Sequence, residues 1–208
     1  MVQLGFDNTY ARELDGLYVP STLQGFAAPE ILSLDDELRV ALGLPELQPE
    51  VSAQIFSGSA VTPDATPLAM AYAGHQFGGF SPQLGDGRAV LLGEVVDPEG
   101  KRWDLQLKGS GPTPFSRGGD GFAGVGPVLR EHLVSSAMFH LGVPTSRVLA
   151  SIRTGETIYR QGPLPGAVLV RVASSHLRVG TFQFFAARGD HDKVSRLVDY
   201  TLRRHAPE

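Results

Sequence analysis

The chain contains no cysteine. That excludes disulfides and thiolate metal sites, and it fits a reducing cytoplasm, which is the expected location. No apolar run approaches the ~20 residues a membrane span needs. The opening MVQLGFDNTYARELDG has no basic start followed by an apolar core, so it is not read as a signal peptide. Charge of either sign is modest. Lys and Arg number 18 against 22 Asp and Glu, a net charge of −4, so no broad basic field argues for nucleic acid. Neither nucleic acid nor membrane is therefore an expected partner. There is no G-x-x-x-x-G-K-[ST] loop and no G-x-S-x-G elbow. Neither Gly109-Ser110-Gly111 nor the run Asp120–Gly126 fits G-x-G-x-x-G after a strand, so a dinucleotide fold is a weak reading. The six histidines show no i,i+4 pairing with carboxylates, and no metal site is expected among them. No internal repeat or low-complexity tract is visible.

Glycine (25) and proline (15) are plentiful and clustered, so much of the chain should be loop. Hydrophobic residues make up 42%, enough over 208 residues to bury a core. Residues 1–82 read as an N-terminal arm and irregular wrap, and 83–208 as a compact lobe. Within the arm, Ser33 is the expected N-cap of a short helix reaching Leu42, with Asp35, Asp36 and Glu37 in its first turn. Residues 46–82 read as loop, with a short helix near Pro63–Ala73.

The clearest elements are two strands, Arg88–Val96 and Arg102–Leu107, joined by Asp97-Pro98-Glu99-Gly100. Period two places Val90, Leu92 and Glu94 on one face and Lys108 opposite Trp103. A helix starting near Pro127 should bury a stripe of Leu129, Leu133, Ala137 and Leu141. Arg147–Ile152, Thr157–Gln161 and Gly166–Ala173 read as three further strands. Helical segments near Phe182–Ala187 and Asp192–Arg204 follow. The last would bury Val194, Leu197, Val198 and Leu202, and would present Lys193, Arg196, Arg203 and Arg204 to solvent or a partner.

The candidate chemistry lies between Gln83 and Leu141. Gly85-Asp86-Gly87-Arg88 opens a strand. Glycines there let backbone amides crowd a phosphate, and Arg88 adds a planar fork of donors; a plain tight turn is the simpler alternative. Lys108 ends an apolar strand beside the glycine-dense GSGPTPFSRGGDG, where Arg117, Asp120 and Gly121 could contact a nucleotide. Glu131 lies on the following helix, within reach of an ion pair with Lys108. Arg171 and Arg178 flank SSHL and could grip phosphate; alone, such residues are ordinary surface charges. A glycine turn, a strand with a terminal lysine and a helix with a glutamate match the way a kinase-like small lobe holds a nucleotide.

Taken together, YAGHQFGGFSPQLGDGRAVLLGEV, WDLQLKGSGPTPFSRGGDG, LREHL, LGVPTSR and RVASSHLRVGTFQFF resemble the selenoprotein O family, also called the YdiU family. The likeness runs from FDNTYAREL through nearly the whole chain. It implies an α+β fold, the N-terminal lobe of a kinase-like protein, with an antiparallel sheet and packed helices. Members are protein adenylyltransferases that bind ATP in a flipped orientation and transfer AMP to Ser, Thr or Tyr hydroxyls of protein substrates. The resemblance implies that Gly85, Gly87, Arg88, Lys108, Asp120, Gly121, Arg171 and Arg178 contact ATP, and that Glu131 anchors Lys108. It implies Mg2+ or Mn2+ as well. The family's H-G-V-x-N-T-D-N and D-Y-G-P-F motifs are not found here, so the catalytic base and metal ligands are expected beyond residue 208 and the chain alone is expected to be inactive. A phosphate-transferring kinase, or a non-catalytic nucleotide-sensing or structural remnant, are the alternatives. Where the family usually has DGRAVLRSSIREFL, this chain has DGFAGVGPVLREHL. Interior Gly and Pro disfavour helix by about 1 and 3 kcal/mol, so a late helix start and a looser lysine anchor are expected.

Overall fold

The structure, a computed structural model, describes residues 2–207. It is a mixed α+β arrangement. In chain order the elements are α1 (Thr9–Glu13), β1 (Tyr18–Pro20), β2 (Glu30–Leu34), α2 (Asp36–Ala41), α3 (Pro49–Ser57), β3 (Leu68–Met70), β4 (Gly74–Gln76), β5 (Gly79–Ser81), β6 (Ala89–Val96), β7 (Arg102–Lys108), β8 (Ala123–Gly124), α4 (Val125–His140), β9 (Arg147–Tyr159), β10 (Pro163–Ala173), α5 (Val179–Ala186) and α6 (His191–His205). One antiparallel sheet runs β1-β3-β6-β7-β10-β9-β2, with β8 also paired to β10; β4 and β5 form a separate hairpin.

The β6–β7 hairpin turns on Asp97, whose Oδ1 accepts from the Glu99 and Lys101 amides at 2.9 and 2.8 Å. One expected register is corrected. A bulge between Leu91 and Gly93 makes Leu92 the extra residue, because Leu91 pairs with Gln106, Gly93 with Leu105 and Glu94 with Asp104. Glu94 therefore shares a face with Leu91, not with Leu92.

The sheet has an apolar core on each side. On one, Leu105, Leu107, Val168, Val170 and Val172 pack with Leu149, Ile152, Leu38 of α2 and Phe56 of α3. On the other, Leu91, Leu68 and Met70 meet Tyr10, Leu14, Leu17, Phe185 of α5 and Leu197 of α6. A smaller cluster joins Val128 of α4 to Val148, Ala167 and Leu169. The central strand β7 thus turns Leu105 and Leu107 to the core of α2 and α3, and Asp104, Gln106 and Lys108 to the side of α4 and α6, as period two requires.

Several expectations are corrected. Residues 1–31 are not simply irregular, since α1, β1 and the start of β2 lie there, and β1 and β2 join the sheet that the later strands build. The α2 cap is Asp35, whose Oδ1 accepts from Leu38 N at 2.9 Å; Ser33 lies in β2. The helix in 46–82 is α3, with Pro49 in its first turn, where a missing N–H is no loss, and Gly58 at φ 87 closing it. Residues 68–70 form a strand, fully buried between β1 and β6. β9 is one long strand through Gly155 (φ 81), where two were expected. Helix α4 begins at Val125, two residues early, because Pro127 sits in its first turn and sacrifices no internal hydrogen bond. Its expected core stripe faces outward: Leu133 is 70% and Leu141 79% exposed, and Leu129 and Ala137 are exposed too. Val128 and Ser135 are the buried positions. On α6, Leu197 and Tyr200 are buried, Val198 and Leu202 are exposed, and the side chain of Arg204, expected to face solvent or a partner, is buried.

Candidate functional site

Strand β7 ends by delivering Lys108 beside the first residues of β6, with Lys108 opposite Ala89 and Gly109 N donating to Arg88 O at 2.7 Å. From the other flank, β10 places Arg171 opposite Gln106. Helix α4 brings Glu131 over both. One Glu131 carboxylate oxygen pairs with Lys108 Nζ, and the other lies 3.2 Å from Arg171 Nε. The second contact is an ion pair without hydrogen-bond alignment, since Arg171 Nε is buried with no partner in line. Because α4 starts at Val125, Glu131 lies in its second turn, from which it pairs with Lys108.

Burial pushes the Lys108 ammonium below the ordinary lysine range; Glu131 pushes it back up, while the Arg171 and Arg88 charges depress it further. One carboxylate thus faces two cations, Lys108 and Arg171, with exposed Arg88 close enough to add a third. The surplus is positive, and such a cluster is suited to an anion with several oxygens.

The glycine turn is built differently from the sequence expectation. Gly85 N donates to Tyr72 O, Asp86 N to Met70 O and Gly87 N to Gly85 O, at 2.9 to 3.0 Å. These amides are spent inside the protein. The glycines are required by packing: a Cβ on Gly85 (φ +66) would fall 2.2 Å from the Phe115 ring, and one on Gly87 2.8 Å from Phe115 O. The turn is therefore a rigid shelf from which Arg88 projects. Asp86, 2% exposed, pins it: Oδ2 accepts from Met70 N at 3.1 Å and Gln106 Nε2 at 3.2 Å, and its carbonyl accepts from Thr113 Oγ1 at 2.6 Å.

Arg178 precedes α5 and lies with its guanidinium 4.0 Å from the centre of the Tyr72 ring. Its Nε donates to His176 O at 3.2 Å. His176 is in turn held by Asp104, whose Oδ2 accepts from His176 N at 2.7 Å. Since Tyr72 O also receives the Gly85 amide, Arg178 belongs to the same neighbourhood as the turn. Arg171 and Arg178 both line a cleft of about 840 Å³ that His176, Arg147 and Trp103 share.

Asp120 and Gly121 lie elsewhere on the rim. Asp120 is held by a two-pronged pair with Arg160, at 2.8 and 2.9 Å, and lines a separate cleft of about 450 Å³ beside Gly109 and Phe122. Gly121 (φ +71) has Gly111 O where a Cβ would stand, 2.0 Å away, so only glycine fits. Arg117 (φ 52) is exposed on the intervening loop. The structure thus unites Lys108, Glu131 and Arg171, sets Arg88 and Arg178 near them, and leaves Asp120 and Gly121 outside these contacts. Among the described residues no three His, Asp or Glu side chains gather as a metal-binding set.

Gln106, Asp104, Tyr72 and His176 were not legible as site residues. The signal was the polar series Asp104, Gln106, Lys108 on alternate positions of a strand whose other face is apolar. Period two puts all three on one face of the sheet, where polar residues need partners.

At the end of β7, then, two cations, Lys108 and Arg171, share one helix carboxylate, Glu131. The sequence matches the family described as "Protein adenylyltransferase SelO" over residues 1–208, and the chain belongs to that family. It is 61% identical over 205 residues to a "Protein nucleotidyltransferase YdiU" of Cereibacter sphaeroides (strain KD131 / KCTC 12085), covering 98% of this chain and 43% of that protein. A protein of the same name from Rhizobium leguminosarum bv. trifolii (strain WSM2304) is 60% identical over 204 residues, covering 98% and 41%. The chain therefore spans less than half the length of these relatives.

Proposed function

We propose that this chain is the nucleotide-binding, kinase-like lobe of a protein nucleotidyltransferase that transfers AMP from ATP to hydroxyl groups of protein substrates. The observation that carries the reading is the Lys108–Glu131–Arg171 cluster beside the shelf of Gly85–Arg88. Lys108, Arg171, Arg88 and Arg178 would neutralise the phosphates, and Glu131 would keep the first two parallel and separate. Positioning and charge neutralisation are the larger part of what a protein supplies to phosphoryl chemistry. In AMP transfer the hydroxyl oxygen attacks the α-phosphorus and pyrophosphate leaves, so cations near the phosphates stabilise charge that grows on the leaving group. A divalent metal would supply further neutralisation, but these residues form no ligand set for one, and no step here depends on it. Asp120 and Gly121 would meet the nucleotide only from the neighbouring cleft.

The test is titration of the purified chain with ATP by calorimetry. Binding is expected, and Lys108→Ala should weaken it about 10- to 100-fold, the loss of one charge-assisted contact. Equal affinity of the two proteins, or no binding by the native chain, would overturn the reading.

A further inference from the structure

Gln106 is 0% exposed and sits in the middle of β7. Its side-chain amide touches two charged groups of opposite sign. Nε2 donates to Asp86 Oδ2 at 3.2 Å, and Oε1 accepts from Arg171 Nη1 at 3.3 Å. Only one orientation of the amide suits both neighbours, since the reverse would set NH2 against a guanidinium and oxygen against a carboxylate. Asp86 is the fixed point of the glycine shelf. Arg171 is the second cation under Glu131. Through this one amide, Asp86, Gln106, Arg171, Glu131 and Lys108 form a continuous chain of polar contacts across the glycine turn, two strands and a helix.

From this geometry we infer that Gln106 is a positioning residue that sets the cation cluster in register with the shelf carrying Arg88. It need not touch the ligand. Its donor holds Asp86, a buried carboxylate whose other side-chain donor here is a single backbone amide. Its acceptor fixes the Arg171 guanidinium through Nη1, with Nε 3.2 Å from a Glu131 oxygen but out of hydrogen-bond line. Remove the amide, and Arg171 is free to collapse fully onto Glu131, drawing that carboxylate from Lys108. The shelf and the cations would then no longer present donors at a fixed spacing. The inference rests on the proposed phosphate-binding site, and the experiment separates the two.

The native chain, Gln106→Met and Gln106→Glu are titrated with ATP and with inorganic tripolyphosphate, alongside Arg171→Lys and the double variant Gln106→Met/Arg171→Lys. Thermal melting is measured for each. Met keeps the volume and loses both polar contacts; Glu keeps the acceptor for Arg171 and sets a second carboxylate against Asp86. Both single Gln106 variants should melt as folded proteins and bind each ligand about tenfold more weakly. The losses in the double variant should be less than additive, because part of the effect of Gln106 passes through Arg171 and part through Asp86. A purely packing role would instead lower the melting temperature and leave the affinity of the folded protein unchanged. Native affinity in Gln106→Met, additive losses in the double variant, or failure of both Gln106 variants to fold would each overturn the inference while leaving the phosphate site standing. If the native chain binds neither ligand, the phosphate site itself is wrong and this inference falls with it.

Discussion

Lys108 carries its charge under opposed influences. Burial lowers the pKa of its ammonium, and the Glu131 carboxylate raises it, with burial prevailing. A bound phosphate would add negative charge and raise the pKa again, so by linkage binding takes up a proton wherever the free lysine is partly neutral. The sign follows directly. Affinity for ATP should be full where Lys108 is protonated and should fall as pH rises through its lowered pKa, beginning below the ordinary 10.5. Arginine does not deprotonate in this range. The measurement is the ATP dissociation constant of the native chain and of Lys108→Arg between about pH 7.5 and 10. The native profile should weaken toward the alkaline end. The variant, whatever its absolute affinity, should be flat. Parallel profiles would mean that the titrating group is not Lys108.

Helix α4 shows how an element can be read correctly for position and wrongly for orientation. Leucines at four-residue spacing look like a core stripe, yet the side facing the sheet is Val128 and Ser135, with Glu131 and His132 half-buried between them. Orientation follows from what the sheet offers. On this face it presents Lys108, Gln106 and Arg171, which demand a carboxylate, together with the small apolar patch of Val148, Ala167 and Leu169. One prediction separates the two orientations. Leu133→Glu should change the stability of this chain by less than about 0.5 kcal/mol, as surface substitutions do. Val128→Ala should cost about 2 kcal/mol of lost burial. Chemical denaturation of both variants checks this, and a large loss from Leu133→Glu would restore the leucine stripe to the core. The same element shows what a sequence can reveal. The β6–β7 hairpin, Lys108 at its end and the partnership with Glu131 were legible, because period two and local spacing determine them. The Leu91–Gly93 bulge, the outward leucines and the Asp86–Gln106–Arg171 contacts were not. The bulge breaks period two inside the hairpin itself, while the outward leucines and the Arg171 contact depend on segments distant in sequence, as when β10 lies against β7. The glycine turn was legible as a turn, but the reason for its glycines, the Phe115 ring, belongs to a loop some thirty residues on.

At the scale of the whole molecule, the two ends of the chain are tied together under the sheet. Arg204 of α6 is 4% exposed at its side chain and pairs with Asp104 at 2.5 Å and Glu94 at 3.2 Å. Its guanidinium also donates to Ser174 O at 2.6 Å and Tyr200 Oη at 2.9 Å. Glu94 meanwhile accepts from Tyr10 N at 2.6 Å and from Thr9 Oγ1, both in α1. Residues 1–82 and 83–208 therefore share a sheet, an apolar core and this polar knot, which predicts one cooperative unfolding transition. Arg204→Met keeps the apolar stem and leaves two buried carboxylates facing each other. Removing one partner of such a set costs about 3–5 kcal/mol, or a melting temperature lower by roughly 10 °C. The loss should depend on pH. Burial already raises the Glu94 pKa, and Asp104 is held low, against its burial, by His176 and Arg204. Without the arginine both carboxylates would ionise less readily than they do in the native folded chain, although His176 still favours ionised Asp104. The loss relative to the native protein would then grow as pH rises and the carboxylates ionise. The deficit of Arg204→Met should thus be larger at pH 7 than at about pH 4.5, where protonation relieves the repulsion. Denaturant titrations of both proteins at both pH values, followed by fluorescence of Trp103 and by helical circular dichroism, provide the measurement. An equal deficit at the two pH values, or two separate transitions in the native chain, would show that the knot does not couple the ends.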